Sequence, residues 1–315
     1  MDLATSEQRK QQVLIRHLSY FVTLASEGHY ARAAKVCCVT QPTITMAVRK
    51  LEEELQTALV IRSHRFVGLT ADGREVLEWG RRILADYASL QEGLSGAHQG
   101  LTGRLRLGAV PTALPAMPLM TSRFRTDHPE VEIDILSMTS RQIEEELGAL
   151  TIDAAMTYLD NEPLDRVRTM PLYRERYIFV THRGHRYADR STITWAEVAN
   201  ERLCLLRSDM QNRRIINSIA ASVDVEIEAK IVSNSLLVFF SHVAQGGWSS
   251  IVAHTLSLSM GRSSELVAID IVDPAESRSI GLVIPTRDPL SPVTAALAKL
   301  VRTIDFEQAL SLQRG

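Results

Sequence analysis

Cysteine is scarce in this chain, with three residues in 315. Cys37 and Cys38 are adjacent and Cys204 lies far away, so no spacing typical of a metal site occurs. We expect all three to be buried small hydrophobic side chains rather than redox groups. We also expect no metal ion and no cofactor.

Long apolar runs are missing too. No stretch of about 18 consecutive apolar residues occurs, and the N-terminus up to Arg16 is polar and charged, unlike a signal peptide. We therefore expect a cytoplasmic protein without a membrane segment.

The motifs of common enzyme sites are absent from the sequence. It has no glycine-rich phosphate loop, no GxSxG or HExxH motif and no paired CxxC, and its nine histidines are scattered. The segment 245–248 fits a helix C-terminus with left-handed glycines better than an active-site loop. We expect no catalytic residue and no enzymatic activity.

Positively and negatively charged residues are nearly equal in number, and the net charge is −2. Any affinity for nucleic acid must therefore come from a local basic surface. Basic residues do concentrate in the first 65 positions, namely Arg32, Lys35, Arg49, Lys50, Arg62 and Arg65. The length is sufficient for two or three hydrophobic cores.

The segment 40–52 predicts a helix with one apolar and one polar face. Thr40 is a plausible N-cap and Pro42 falls in the first turn. An apolar stripe with helical spacing is formed by Ile44, Ala47, Val48, Leu51 and Leu55. The other side carries side chains able to contact bases or phosphates, namely Gln41, Thr43, Thr45, Met46, Arg49 and Lys50. An ordinary amphipathic surface helix is the alternative.

The surrounding segments favour a winged helix-turn-helix over residues 14–73. An apolar stripe at 18–25, a break at 27–28 and an alanine-rich segment at 30–36 predict two preceding helices. Residues 59–70 predict two short extended runs around a basic tip, in which Arg62 and Arg65 can touch phosphate.

These segments resemble the LysR-type transcriptional regulators. The matching residues, in the family's order, are Leu18, Phe21, Ala33-Ala34, Gln41-Pro42, Leu51-Glu52 and the segment 69–73. The resemblance implies sequence-specific binding to double-stranded DNA at paired half-sites, with Arg32 and Pro42 also in the DNA surface. It further implies regulation by a small, anionic effector such as a carboxylate, a homotetramer built as a dimer of dimers, and contact with RNA polymerase.

Residues 74–100 predict a linker helix and hinge. Apolar residues recur every seven positions, and Ile83, Tyr87, Leu90 and Leu94 form the expected dimer seam. The alternative is that this stripe packs on its own domain, but the resemblance favours an antiparallel dimerisation helix. Glycines and polar residues at 95–100 suggest the hinge.

From residue 101 to 315, strands and helices alternate, which predicts an α/β effector domain. Among its elements we expect a helix at 114–124, a helix at 140–150 capped by Ser140, and strands at 177–181 and 203–206. We expect parallel strands covered by helices on both faces. Lobe I would comprise about 101–174 and 279–315, and lobe II about 175–278. Two such lobes joined by crossing strands resemble a periplasmic-binding-protein type of sensor.

Hydroxyl groups cluster where strands of this domain give way to helices. In the resembling family such positions contact the effector, and they correspond here to Thr112, Thr139, Ser140 and Ser235, with Arg207 and Ser208 from lobe II. A guanidinium at Arg207 would pair with a carboxylate. N-capping alone is the alternative for each hydroxyl. A two-lobed α/β binding module or enzyme without DNA activity is the alternative for the whole chain.

Overall fold

The computed structural model describes residues 3–61, 66–160, 164–259 and 265–312. The chain forms two compact units, Met1–Leu94 and Ser95–Gly315, each with its own hydrophobic core. Within the described residues, no helix is both long enough and apolar enough to cross a membrane.

Helices dominate the N-terminal unit. They are α1 (Leu3–Glu27), α2 (Tyr30–Val36), α3 (Gln41–Leu55) and the start of α4 (Ala71–Gln99). The first helix extends far beyond the stripe at 18–25 that predicted it, and Gly28 with φ +60° follows its end. An antiparallel bridge between Val60 and Leu69 joins the two extended runs of the predicted wing.

The core of this unit is formed by the apolar faces of its helices. Phe21, Leu24, Ala33, Ile44 and Leu51 are all buried there. Burial of each large side chain contributes about 1.5–3 kcal/mol, so packing rather than helix propensity holds these short helices together.

The C-terminal unit alternates strands and helices. Its strands are β1 (Gly103–Ala109), β2 (Val131–Ser137), β3 (Ala154–Tyr158), β4 (Val167–His182), β5 (Thr192–Thr194), β6 (Leu203–Leu206), β7 (Ala229–Ser233), β8 (Ser250–Ala253), β9 (Leu266–Val272) and β10 (Ser277–Pro285). Its α-helices are α5 (Pro118–Asp127), α6 (Ser140–Gly148), α7 (Trp195–Ala199), α8 (Gln211–Ala221), α9 (Leu236–Ala244), α10 (Pro292–Val301) and α11 (Phe306–Leu312). Two 3₁₀ helices, Pro111–Ala116 and His254–Ser259, complete it.

The main sheet of this unit is mixed, which corrects the prediction of a parallel sheet. Strand β1 runs parallel to β2 and β3, whereas β10 returns antiparallel to both β3 and β4. Strand β4 is 16 residues long and pairs with β10 along its first part and with β8 and β9 along its second. This one strand therefore connects the two lobes. Strands β6 and β7 form a separate parallel pair.

Two further local predictions were wrong. A single helix was expected at 114–124, but prolines at 115 and 118 divide the segment into the first 3₁₀ helix and α5. Helix α6 is capped by Thr139, not by Ser140, because the Thr139 hydroxyl accepts from the Gln142 N–H.

Candidate DNA-binding surface and effector cavity

Helix α3 begins as the sequence predicted. Thr40 is its N-cap, with the Thr40 hydroxyl oxygen 3.4 Å from the Thr43 nitrogen that donates to it. Ile44, Ala47, Val48 and Leu51 are buried as expected, whereas Leu55 is exposed and so does not belong to the buried stripe. The helix ends there, because Gln56 adopts the left-handed conformation.

The opposite face of α3 is open to solvent. Its exposed side chains are Gln41, Pro42, Thr43, Met46, Arg49 and Lys50. Thr45 is half-buried and donates to the Gln41 carbonyl at 3.1 Å. Six side chains able to contact a duplex thus share one accessible face.

Arg32 lies in α2, and its guanidinium contacts the Glu27 side chain (Nε to Oε2, 3.4 Å) and the Glu27 carbonyl. Its side chain remains mostly exposed, so the pairing leaves it accessible to a phosphate. Arg62 and Arg65, the predicted wing contacts, lie outside the described residues.

The base of the wing depends on Glu52, which the sequence matched to the family pattern but to which no role was assigned. Glu52 is buried, and its Oε1 accepts hydrogen bonds from the backbone N–H groups of Leu59 (2.8 Å) and Val60 (3.2 Å). Thr70 donates to the Ala58 carbonyl at 2.6 Å and accepts from the Gly73 N–H at 2.9 Å. A Cβ at Gly73 would lie 2.0 Å from the Leu59 carbonyl oxygen, which explains the glycine.

Helix α4 presents two different apolar faces. Val76, Leu77 and Leu84 pack on the core of the N-terminal unit, and a Cβ at Gly80 would lie 2.9 Å from Leu18. The first turns of the predicted seam are therefore intramolecular. The four residues assigned to dimerisation are exposed instead: Ile83 (42%), Tyr87 (41%), Leu90 (59%) and Leu94 (67%).

A cavity of about 960 Å³ opens in the C-terminal unit, where the first 3₁₀ helix and α6 approach α9. Its polar lining is Ser137, Thr139, Gln142, Asn234 and Ser235. Its apolar lining is Pro111, Leu114, Pro115, Pro118, Met210, Leu236, Leu237, Phe240 and Leu256. The lining includes no charged side chain among the described residues.

Two of the six predicted effector residues line this cavity, namely Thr139 and Ser235. Thr139 and Gln142 cap each other at the start of α6, since the Thr139 N–H donates to the Gln142 Oε1 at 2.9 Å. Ser235 is the N-cap residue of α9, and its side chain makes no capping hydrogen bond.

The other four predicted residues lie away from the lining. Thr112 is fully buried, and Ser140 is buried with its hydroxyl 3.4 Å from Arg214 Nη2. Arg207 is exposed, with its Nε 3.4 Å from Asp209 Oδ1. Ser208 is exposed, and its carbonyl accepts from Arg214 Nη1 at 3.4 Å. In this arrangement the Arg207 guanidinium is engaged outside the cavity.

A buried polar network is centred on Tyr158 and Glu175. The Tyr158 hydroxyl donates to Glu175 Oε1 and lies 3.1 Å from the Thr112 hydroxyl. The same Tyr158 hydroxyl accepts a hydrogen bond from Asn212 Nδ2 at 3.0 Å. Burial of the carboxyl raises the pKa of Glu175 to about 7. Neither Glu175 nor Asn212 was selected from the sequence, where both resemble surface residues.

The three cysteines differ in environment, which corrects the expectation that all are buried. Cys204 is fully buried in β6, and burial raises its pKa to about 11. Cys37 is half-buried and Cys38 is exposed. Both lie between α2 and α3, where Cys38 takes a left-handed backbone conformation (φ +53°).

Known proteins match almost the whole chain. The family model described as "Bacterial regulatory helix-turn-helix protein, lysR family" matches residues 15–74, and the model "LysR substrate binding domain" matches residues 98–304. The chain is 26% identical over 289 residues to the hydrogen peroxide-inducible genes activator of Escherichia coli, covering 91% of this chain and 94% of the relative.

Two solved structures share the fold. Full-length OxyR from Pseudomonas aeruginosa, with a cysteine replaced by aspartate, has a TM-score of 0.72 and 24% identity, covering 93% of this chain and 95% of that one. The LysR-family regulator CbnR, solved in complex with its target DNA, has a TM-score of 0.65 and 24% identity, covering 91% and 98% of the two chains.

Proposed function

The chain belongs to the LysR family of DNA-binding transcriptional regulators with an effector-binding domain, and we propose which of its residues read DNA and which bind the effector. The assignment of DNA contact rests on one observation, the exposed polar face of α3. Gln41, Thr43, Thr45 and Arg49 would contact base edges, while Lys50 and Arg32 would contact phosphates. The structural relative CbnR, solved with its target DNA, supports this use of the fold.

The experiment that tests this assignment is binding of the full chain to duplex DNA at low salt. An operator is first selected from a pool of random duplexes, and affinity is then measured by fluorescence anisotropy. The double variant Arg49→Ala/Lys50→Ala should lose binding, whereas Arg123→Ala, an exposed arginine on α5, should bind like the wild type. Equal binding by all three proteins would refute the assignment.

We further propose that the effector occupies the cavity described above. Nine apolar side chains and five polar ones line it, so the ligand that fits has an apolar body and one small polar or carboxylate end. The hydroxyls of Thr139 and Ser235 and the backbone N–H groups at the start of α9 would hold that end. Arg207 would reach a bound carboxylate only after leaving Asp209, so it is a secondary contact in this proposal.

A thiol mechanism of sensing does not fit this chain, although a relative is named for induction by hydrogen peroxide. The effector domain has one cysteine, Cys204, which is fully buried with a raised pKa. A peroxide-reactive cysteine needs an accessible thiolate. We therefore assign regulation to a reversibly bound small molecule.

The assembly we propose is a homodimer through the exposed seam of α4, further paired into a dimer of dimers on an operator with two half-sites. Four large apolar side chains at 83, 87, 90 and 94 are exposed at seam spacing, which favours a partner helix. Regulation of transcription would then proceed through contact with RNA polymerase.

Thermal-shift screening of small carboxylates and their neutral amides tests the effector proposal. A ligand that binds only the native state raises the melting temperature by mass action. The variant Ser235→Leu should lose the shift, while Ser241→Leu, exposed further along α9 and outside the cavity lining, should keep it. A shift that persists in Ser235→Leu would place the effector elsewhere.

A further inference from the structure

Glu175 is a buried carboxyl in the strand that connects the two lobes. It lies in β4 with its side chain fully buried, and Tyr158 from β3 contacts its Oε1. The other oxygen, Oε2, is buried and has no hydrogen-bond partner among the described residues. Hydrogen bonds from Tyr158, Thr112 and Asn212 favour the ionised form of Glu175, but burial of the carboxyl outweighs them, so its charge is costly in the protein interior.

The network around Glu175 ties together elements from different parts of the domain. Tyr158 accepts from Asn212 at the start of α8 and contacts Thr112 in the first 3₁₀ helix. The Thr112 carbonyl in turn accepts from Thr255 in the second 3₁₀ helix at 2.9 Å. Three separate segments are thus held around one carboxyl group.

The same three segments line the effector cavity. Leu114 lies in the first 3₁₀ helix, Met210 is the N-cap of α8, and Leu256 lies in the second 3₁₀ helix. If the hydrogen bonds of the buried network break, these three segments can move, and the shape of the cavity changes. Closure of the cavity around a ligand would in turn restrain the same three segments.

The neighbouring strand β10 carries a cation, Arg278, opposite Glu175. Arg278 in β10 is directly opposite Glu175 in the β4–β10 ladder, a register that places both side chains on one face of the sheet. Its guanidinium instead pairs with Glu276, and its Nε is buried without a partner among the described residues. Two pairings are therefore open to Arg278, with Glu276 or with an ionised Glu175.

Three tyrosines interact electrostatically with Glu175, namely Tyr158 from β3 and Tyr173 and Tyr177 from β4. Arg278 from β10 is its partner across the ladder. Asp160 interacts with Tyr177, and His254 and Glu307 contact or act on Tyr173, so these three groups are one residue further away. The pKa values of all three tyrosines are raised by burial, so these hydroxyls stay neutral and supply no countercharge at physiological pH. Arg278 is the cation among these groups that can respond directly to ionisation of Glu175.

We propose that Glu175 is a proton-operated latch between the lobes: its neutral form holds the first 3₁₀ helix, α8 and the second 3₁₀ helix around the cavity, and loss of its proton releases them. Arg278 then pairs with the carboxylate in place of Glu276. Protonation of Glu175 and binding of an effector that closes the cavity are therefore coupled. Each raises the affinity of the protein for the other.

Hydrogen–deuterium exchange of the full chain at pH 5.5 and 8.5 tests the latch. The amide exchange rates measured in Pro111–Ala116 and Gln211–Ala221 are divided by the rate in Leu266–Val272 on β9. This ratio cancels the intrinsic pH dependence of the exchange reaction itself. The Glu175 pKa is about 7, so an opening linked to deprotonation should be more frequent at pH 8.5 than at pH 5.5. We therefore expect the normalised exchange rates of the first 3₁₀ helix and α8 to be up to about 30-fold higher at pH 8.5. A ratio in the wild type that does not change with pH would overturn the proposal, whatever any variant does.

Two variants separate a latch from a merely buried carboxyl. Glu175→Gln, which mimics the neutral form, should keep the low-pH ratio at both pH values. Tyr158→Phe, which removes the hydroxyl that links the segments, should show the high-pH ratio at both. Glu132→Gln, an exposed carboxylate paired with Arg104 on the sheet edge, is the matched control and should follow the wild type. Wild-type pH dependence retained in Glu175→Gln would show that another group operates the opening.

Discussion

The Glu52 carboxylate accepts hydrogen bonds from two consecutive backbone N–H groups, the nearer being that of Leu59 at 2.8 Å. One side chain thereby connects the last turn of α3 to the base of the wing. Since the two candidate DNA-contacting elements are joined through this carboxylate, its effect on DNA binding is indirect and positional.

Replacing Glu52 with alanine should destabilise the N-terminal unit. Two buried N–H groups would lose their acceptor, at a cost of about 1–3 kcal/mol each less any bonds regained from water. Chemical denaturation of the full chain checks this, with Glu53→Ala as the control because Glu53 is exposed on the same helix. Equal midpoints for the two variants would contradict a structural role for the Glu52 carboxylate.

Replacing Arg49 with alanine should weaken binding to a selected operator by about 1–3 kcal/mol and change binding to random duplex far less. The reason is that a guanidinium on the exposed face of α3 can bond a base edge, which carries sequence information. Anisotropy titrations on both duplexes measure the difference, and Lys299→Ala on α10 serves as the control. Similar losses on the two duplexes would reassign Arg49 to the phosphate backbone.

Replacing Arg62 or Arg65 with alanine should lower affinity on every sequence. Each phosphate contact releases counterions, so the slope of log K against log salt should fall in magnitude by about one unit per arginine removed. Titrations at several salt concentrations give the slope. A slope identical to that of the wild type would remove that arginine from the interface.

Replacing Leu90 with glutamate should dissociate the dimer and abolish binding to operators with two half-sites. The side chain is 59% exposed in one chain and would be buried, charged and unpaired against a partner helix. Analytical ultracentrifugation measures the oligomer. Val223→Glu, at an exposed apolar position in the effector domain, should leave it unchanged. An unaltered sedimentation coefficient in Leu90→Glu would mean that the seam is not the dimer interface.

Local patterns predicted most helices and the buried strands of this chain. Strand β6 was predicted at 203–206 with both ends correct, because four consecutive apolar residues are bounded by polar ones. The first half of β4 was missed because charged residues such as Arg168, Arg174 and Glu175 interrupt its apolar pattern. Its place in the sheet is fixed by pairing with β10, about a hundred positions later in the chain.

The site residues divide in a similar way. Thr139 and Ser235 were selected because hydroxyls at helix starts are a local signal. Both line the cavity, and their contact with an effector stays a prediction. Arg207 was selected for its charge, but its guanidinium is paired with Asp209, which local sequence cannot foresee. Glu52 and Glu175 stand in charged segments typical of surfaces, and only tertiary packing buries them.

Stability should depend on pH through Glu175, and the sign follows from its raised pKa. The pKa rises from its usual 4.5 to about 7 because the fold buries the carboxyl. Between these two values the unfolded chain has lost the proton while the folded chain retains it, so the free energy of unfolding falls as pH increases from about 4.5 to 7. Above pH 7 this contribution levels off, after a loss of at most about 3 kcal/mol.

The variant Glu175→Gln isolates that contribution, because an amide of the same shape does not titrate. The difference in unfolding free energy between Glu175→Gln and the wild type should increase in favour of the variant as pH rises through the window from 4.5 to about 7 and stay constant beyond it. Urea denaturation at half-unit pH steps measures this difference, and titration of all other groups cancels in it. A difference that is flat across the window would mean that the buried carboxyl keeps an ordinary pKa, and that ionisation of Glu175 costs the fold nothing.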